Sequence, residues 1–103
     1  MIKPLAYDFE WDAVKALSNA RKHGVTFDQA ATVFRDALAL TVFDAAHSKH
    51  EERWFTLGFD VEGVLLAVAH TFHVVTPEST RVRLISARPA TKRERQFYEN
   101  EPR

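Results

Sequence analysis

The spacing of hydrophobic and polar positions changes twice along this chain and divides it into three parts. Tyr7-Asp8-Phe9-Glu10-Trp11 alternates aromatic with acidic residues, a period of two that predicts a short strand covered on one face. At Asp12 the pattern turns helical. Asp12 suits an N-cap, and the helix should run to about His23. Gly24 then stands where a left-handed residue is favoured, with Lys22 and His23 in the last turn complementing the helix dipole. Thr26-Phe27-Asp28-Gln29 has the form of a capping box. Phe27, Ala30, Ala31 and Phe34 recur at the spacing of one buried helix face, which predicts a second helix ending near Asp36.

Beyond Asp36 the period becomes extended. Residues 38–43, 53–59, 64–72 and 81–87 are rich in Val, Leu, Phe and Thr and predict four strands. Asp60-Val61-Glu62-Gly63 is short enough to make the second and third a hairpin. The unbroken apolar run Val64 to Ala69 suggests a central strand covered on both faces. Residues 74–80, with Pro77, are expected to form a loop. Thr91-Lys92-Arg93-Glu94 offers a second capping box, opening a last helix that stops before Pro102. The expected fold is α+β: an antiparallel β-meander sheet, two N-terminal helices and one C-terminal helix, all helices on one sheet face, with residues 1–103 as a single domain.

Composition narrows the function classes. No cysteine is present, which removes disulfides and thiolate chemistry and fits a reducing compartment. Met1-Ile2-Lys3-Pro4-Leu5 has no apolar run of the signal-peptide kind, and Val64 to Ala69 is far too short to cross a bilayer, so a cytoplasmic protein without membrane contact is expected. The formal charge is zero, but it is unevenly spread. Residues 81–95 hold six of the fourteen Lys and Arg residues and one acid, Glu94, whereas residues 1–80 carry seven basic and eleven acidic groups. Such asymmetry points to a polyanion site; the alternative is a solvated strand-to-helix edge.

Phe9-Glu10-Trp11-Asp12, the run Asn19 to Phe27, Ala30-Ala31, Val33-Phe34, Glu52-Arg53, His70-Thr71, the run Arg83 to Arg88 and the run Glu94 to Tyr98 together resemble the BrnT family of bacterial toxins, whose fold is that of the RelE-type ribonuclease toxins. The resemblance runs nearly end to end. It implies an endoribonuclease that needs neither metal nor cofactor, cleaves mRNA and inhibits translation. It also implies neutralisation by a BrnA-like DNA-binding antitoxin, in a heterotetramer of two toxins and two antitoxins, with DNA contacted only through the antitoxin. A non-catalytic RNA- or protein-binding module of the same fold is the alternative.

Metal-free RNA cleavage requires a base for the 2′-hydroxyl, cations for the charge that builds on the phosphate, and a proton or cation for the departing 5′-oxygen. The candidate catalytic residues are Arg88, Lys22, His73 and Arg53, and the candidate RNA-binding residues are Arg81, Arg83, Arg93 and Arg95. Phe97 and Tyr98 are candidates for the partner interface. Arg88 ends a predicted strand before Pro89 and matches the Arg of the family's "SAR" word. Strand periodicity places Arg81 and Arg83 on one face and, unless a bulge intervenes, Arg88 on the other. His70 shares a face with Leu66, Val68 and Phe72 and reads as a core histidine. His73 points the opposite way, which argues against a shared metal ion. His73 also departs from the family's pattern, which commonly has Arg there.

Overall fold

The computed structural model describes residues 6–102. Met1 to Leu5, read above for a signal segment, lie outside the described residues. Strand β1 (Ala6–Glu10) leads into α1 (Ala13–His23) and α2 (Phe27–Thr32), and a 3-10 turn (Val33–Arg35) extends α2. Strands β2 (Leu40–Phe43), β3 (Trp54–Phe59), β4 (Leu65–Thr76) and β5 (Ser79–Pro89) follow, and α3 (Lys92–Asn100) comes last.

The caps form where the sequence predicts them. Asp12 accepts from the Lys15 amide, and Gly24 closes α1 at a φ of 68°, a left-handed conformation that costs glycine little. Thr26 with Gln29 and Thr91 with Glu94 both form reciprocal capping boxes.

Three expectations are corrected. The sheet is mixed, with order β1-β5-β4-β3-β2: β2 to β5 are an antiparallel meander, but β1 lies parallel to β5. Alternation in residues 7–11 reports a half-covered strand and says nothing of its partner. Residues 74–80 are not a loop. β4 and β5 continue to a two-residue turn at Pro77-Glu78, with Thr76 opposite Ser79, and Pro77 in the turn has no amide that the ladder would miss. The helices occupy both sheet faces. Leu66, Val68, Val82, Leu84 and Ala87 meet α1 and α2 through Val25, Phe27, Ala30 and Val33, whereas Leu57, Leu65 and Ala67 meet Tyr98 of α3. The apolar run in β4 is therefore buried on both sides, as its composition predicts.

Asn19 joins these layers. Its amide nitrogen donates to the carbonyls of Ala87 (2.8 Å) and Val25 (3.0 Å), and its carbonyl accepts from the Ala87 amide (3.0 Å). The side chain thus completes the ladder on β5 beyond Arg83, where β1 has ended. Asn19→Ala leaves three buried backbone groups without partners and is expected to cost about 2–4 kcal/mol, since each lost bond strands a desolvated donor or acceptor. Chemical denaturation measures this, and an unchanged midpoint would show that water replaces the amide.

Candidate functional site

α3 covers one end of its sheet face, and the rest of that face stays open. A bulge decides which side chains it carries. His70 pairs with Leu84 but Ala69 with Ser86, so Ile85 is an extra residue in β5. Val82, Leu84 and Ala87 all reach the same core in consequence. Arg88 therefore returns to the face of Arg81 and Arg83, the exception that the strand periodicity had left open.

On the open face His73 lies directly across from Arg81, and Thr71 across from Arg83. Glu10 of β1 is the neighbour of Arg83 on the other side and lies 3.9 Å from the Arg81 guanidinium. The β2–β3 connection brings Glu51, Glu52 and Arg53 over this surface. A guanidinium nitrogen of Arg83 donates to Glu51 Oε1, and Arg53 stands 3.8 Å from the same oxygen. These groups line two adjoining clefts that share Glu51 and Arg83. One, about 380 Å³, holds Glu10, Glu52, Thr71, His73 and Arg81; the other, about 440 Å³, holds Asp12, Lys15 and Arg53.

The connection carrying Glu51 and Arg53 is tied at its base. The Asp44 amide donates to the Arg53 carbonyl (2.8 Å). The Ser48 hydroxyl donates to the Asp44 carbonyl (2.6 Å) and accepts from the Arg53 amide (3.0 Å). His47 lies 2.9 Å from the buried Asp44 carboxylate. Both ends of the segment are thus fixed, so Glu51 and Arg53 are presented from a closed loop.

The structure groups four of the candidates: Arg53, Arg81, Arg83 and His73. The others stand elsewhere. Arg88 makes a two-pronged ion pair with Glu94, at 2.7 and 2.9 Å, just outside the clefts. The pair pulls the Glu94 carboxyl down to about 2, chiefly through the Arg88 hydrogen bonds, and raises Arg88 further above its ordinary value through the same contact. Glu94 also accepts from the Thr91 amide, so one carboxylate caps α3 and fastens it to β5. Lys22 is exposed at the end of α1, beside Val14, Leu17, Ser18 and Arg21, and lines neither cleft. Arg93 and Arg95 are exposed on α3, and the Arg95 guanidinium lies 5.9 Å from the Phe59 ring centre. Phe97 is 48% exposed and available to a partner, but Tyr98 is only 6% exposed. The Tyr98 ring packs among Leu57, Leu65 and Ala67 and its hydroxyl donates to Asp36 at 2.5 Å, so the place given it at a partner surface is corrected to one in the core.

Sequence reasoning gave no role to Glu51, Glu10 or Lys15. Glu52-Arg53 was visible as a matching word, but Glu51 acquires its place only when the β2–β3 connection folds over β5.

His70 is fully buried on the opposite face. Its Nδ1 faces the Thr71 carbonyl (3.3 Å), which requires a proton on Nδ1, so Nε2 accepts from the Thr56 hydroxyl (2.7 Å). Burial lowers its pKa from 6.5 to about 4. The neutral ring is thus the folded form, and stability from His70 is complete above pH 6.5 and lost as pH falls toward 4. Glu94 adds a second loss as pH falls from 4.5 toward 2. Melting temperature is expected to decline in this order on acidification, and a flat profile from pH 6.5 to 4 would overturn the neutral, buried assignment of His70.

The open face thus combines guanidinium groups, carboxylates and an imidazole on an α+β scaffold. A family model described as "Ribonuclease toxin, BrnT, of type II toxin-antitoxin system" matches residues 11–94, and the chain belongs to that family. The crystal structure of the Brucella abortus ribonuclease toxin, BrnT, superposes with a TM-score of 0.56 at 19% identity, covering 88% of this chain and 100% of that one, a likeness of fold. No curated protein sequence matches the chain.

Proposed function

We propose that this chain is the ribonuclease toxin of a type II toxin–antitoxin pair, cleaving mRNA without a metal by attack of the 2′-hydroxyl on the adjacent phosphate. The observation that carries the reading is the convergence of Arg53, Arg81, Arg83 and His73 on one open sheet face. The guanidinium groups of Arg81 and Arg83 hold the scissile phosphate and neutralise the charge that develops on its oxygens. His73 takes the 2′-hydroxyl proton. Glu51 is committed to Arg83 and Arg53, and holds them in place. Attack closes a 2′,3′-cyclic phosphate, and the 5′-oxygen leaves with a proton, returned by the imidazolium or by water.

By family, the chain has an antitoxin partner. We take this to be a BrnA-like DNA-binding protein, joined in a complex of two toxins and two antitoxins, with Phe97 at the contact and DNA bound only by the antitoxin. Kinship with the RelE-type toxins and a cytoplasmic location belong to the same reading.

One observation favours a non-catalytic binding module instead: Arg53, Arg81 and Arg83 each stand beside a carboxylate, so the clefts carry little net charge. Incubating the purified chain with RNA in the presence of a chelator decides between them. Fragments ending in a 2′,3′-cyclic phosphate are expected. Binding without fragments would sink the ribonuclease reading.

A further inference from the structure

The cleft formed by Lys15, Arg53 and Arg83 is set beside the one that holds His73 and Arg81, and the two share a wall at Glu51 and Arg83. A chain molecule whose phosphate occupies the first has its next charged group delivered to the second. Lys15 is the residue that the fold does not explain. It stands in the first turn of α1, a turn without any acidic residue, where a cation opposes the helix dipole. The aliphatic stem covers no core, since Lys15 is exposed. Arg53, Arg81 and Arg83 each have a carboxylate within ion-pair distance, whereas the Lys15 ammonium has none among the described residues. Arg53 adds a buried Nε without a hydrogen-bond partner in the same wall. Asp12 also lines the cleft, but its carboxylate is committed to the α1 N-terminus through the Lys15 amide.

From these placements we infer that the Lys15–Arg53 cleft is a second phosphate subsite, which takes the phosphodiester one nucleotide from the scissile bond of a single-stranded RNA. This rests on the ribonuclease reading for the identity of the first phosphate, but not for its test. Binding across two phosphates fixes the direction of the strand over β5 and explains why a loop as tightly tied as Asp44 to Arg53 serves the site: Arg53 must stay rigid to bridge the two.

The probe is a 2′-O-methyl oligoribonucleotide, which cannot be cleaved, bound to wild type and to Lys15→Gln, with Lys15→Arg as the charge-preserving control. Fluorescence anisotropy over a range of salt gives affinity and the number of phosphates engaged. Lys15→Gln is expected to weaken binding about tenfold, the scale of one charge-assisted contact. The salt slope should become shallower by about 0.7, one phosphate's share for a single strand. Lys15→Arg should restore both, and neither variant should melt below the wild type because the side chain is exposed; Lys15→Gln, which removes a cation opposing the α1 dipole, should melt slightly higher. Equal affinity and equal slope for Lys15→Gln would overturn the subsite. A wild type that cuts no RNA but still loses affinity and slope with Lys15→Gln would remove the ribonuclease reading and leave the subsite standing.

Discussion

Arg83→Ala is expected to lower the rate of RNA cleavage by about 10²- to 10³-fold while the domain stays folded. Among the described residues Arg83 is the one cation that borders both clefts, and it is held by Glu51 from the loop above and flanked by Glu10 and Thr71 within the sheet. Removing it takes away the group best placed to neutralise charge on the phosphate in the transition state. It also releases Glu51, whose carboxylate would then repel the substrate. The two effects act in the same direction. Because Arg83 is exposed, its loss should leave denaturation almost unchanged, within about 0.5 kcal/mol. Glu51→Gln serves as the companion: it keeps the loop and removes the charge, so RNA should bind more tightly to it. Single-turnover cleavage by both variants measures the two terms separately. Arg83→Ala protein with full activity would remove the shared wall from the site.

His73→Gln should be more damaging still, by about 10²- to 10⁴-fold, the range that general-base catalysis supplies. The imidazole stands across from Arg81 on the open face, is exposed, and is engaged in no ion pair among the described residues, so it is free to exchange protons with a bound 2′-hydroxyl. Glutamine keeps a polar side chain of similar reach but accepts no proton at neutral pH. Single-turnover cleavage by the wild type and the variant is the readout, and a His73→Gln protein of wild-type rate would remove the imidazole from the chemistry. His73→Arg supplies a cation in place of a base. It is expected to strengthen RNA binding while leaving cleavage as low as in His73→Gln. Should His73→Arg cleave as well as the wild type, another group takes the proton and Glu51 becomes the candidate.

Local chemistry was legible in the chain because it depends on few residues. Capping boxes at Thr26 and Thr91, the Asp12 cap, the left-handed Gly24 and the doubly buried strand from Leu65 all follow from neighbours within a turn or from an unbroken apolar run, and each formed as the pattern dictates. Residue type also singled out the basic segment of β5 and His73, which the fold brings to one cleft, and the resemblance carried by scattered words identified the family without any knowledge of contacts.

Tertiary structure decided what depends on distant segments meeting. The bulge at Ile85 reversed the face of Arg88, and no periodicity announces a one-residue slip before the strands pair. β1 lies parallel to β5 because pairing partners are chosen by packing across the whole sheet, not by the strand's own alternation. Asn19 became an edge for β5, Tyr98 a core residue tied to Asp36, and Arg88 a fastening for α3, each through a partner far along the chain or newly brought into reach. Glu51 and Lys15 entered the site for the same reason. A loop closed by Ser48 and a helix start fixed by Asp12 place them over β5, and charge acts through space, so their neighbours are set by the fold and not by their order in the sequence.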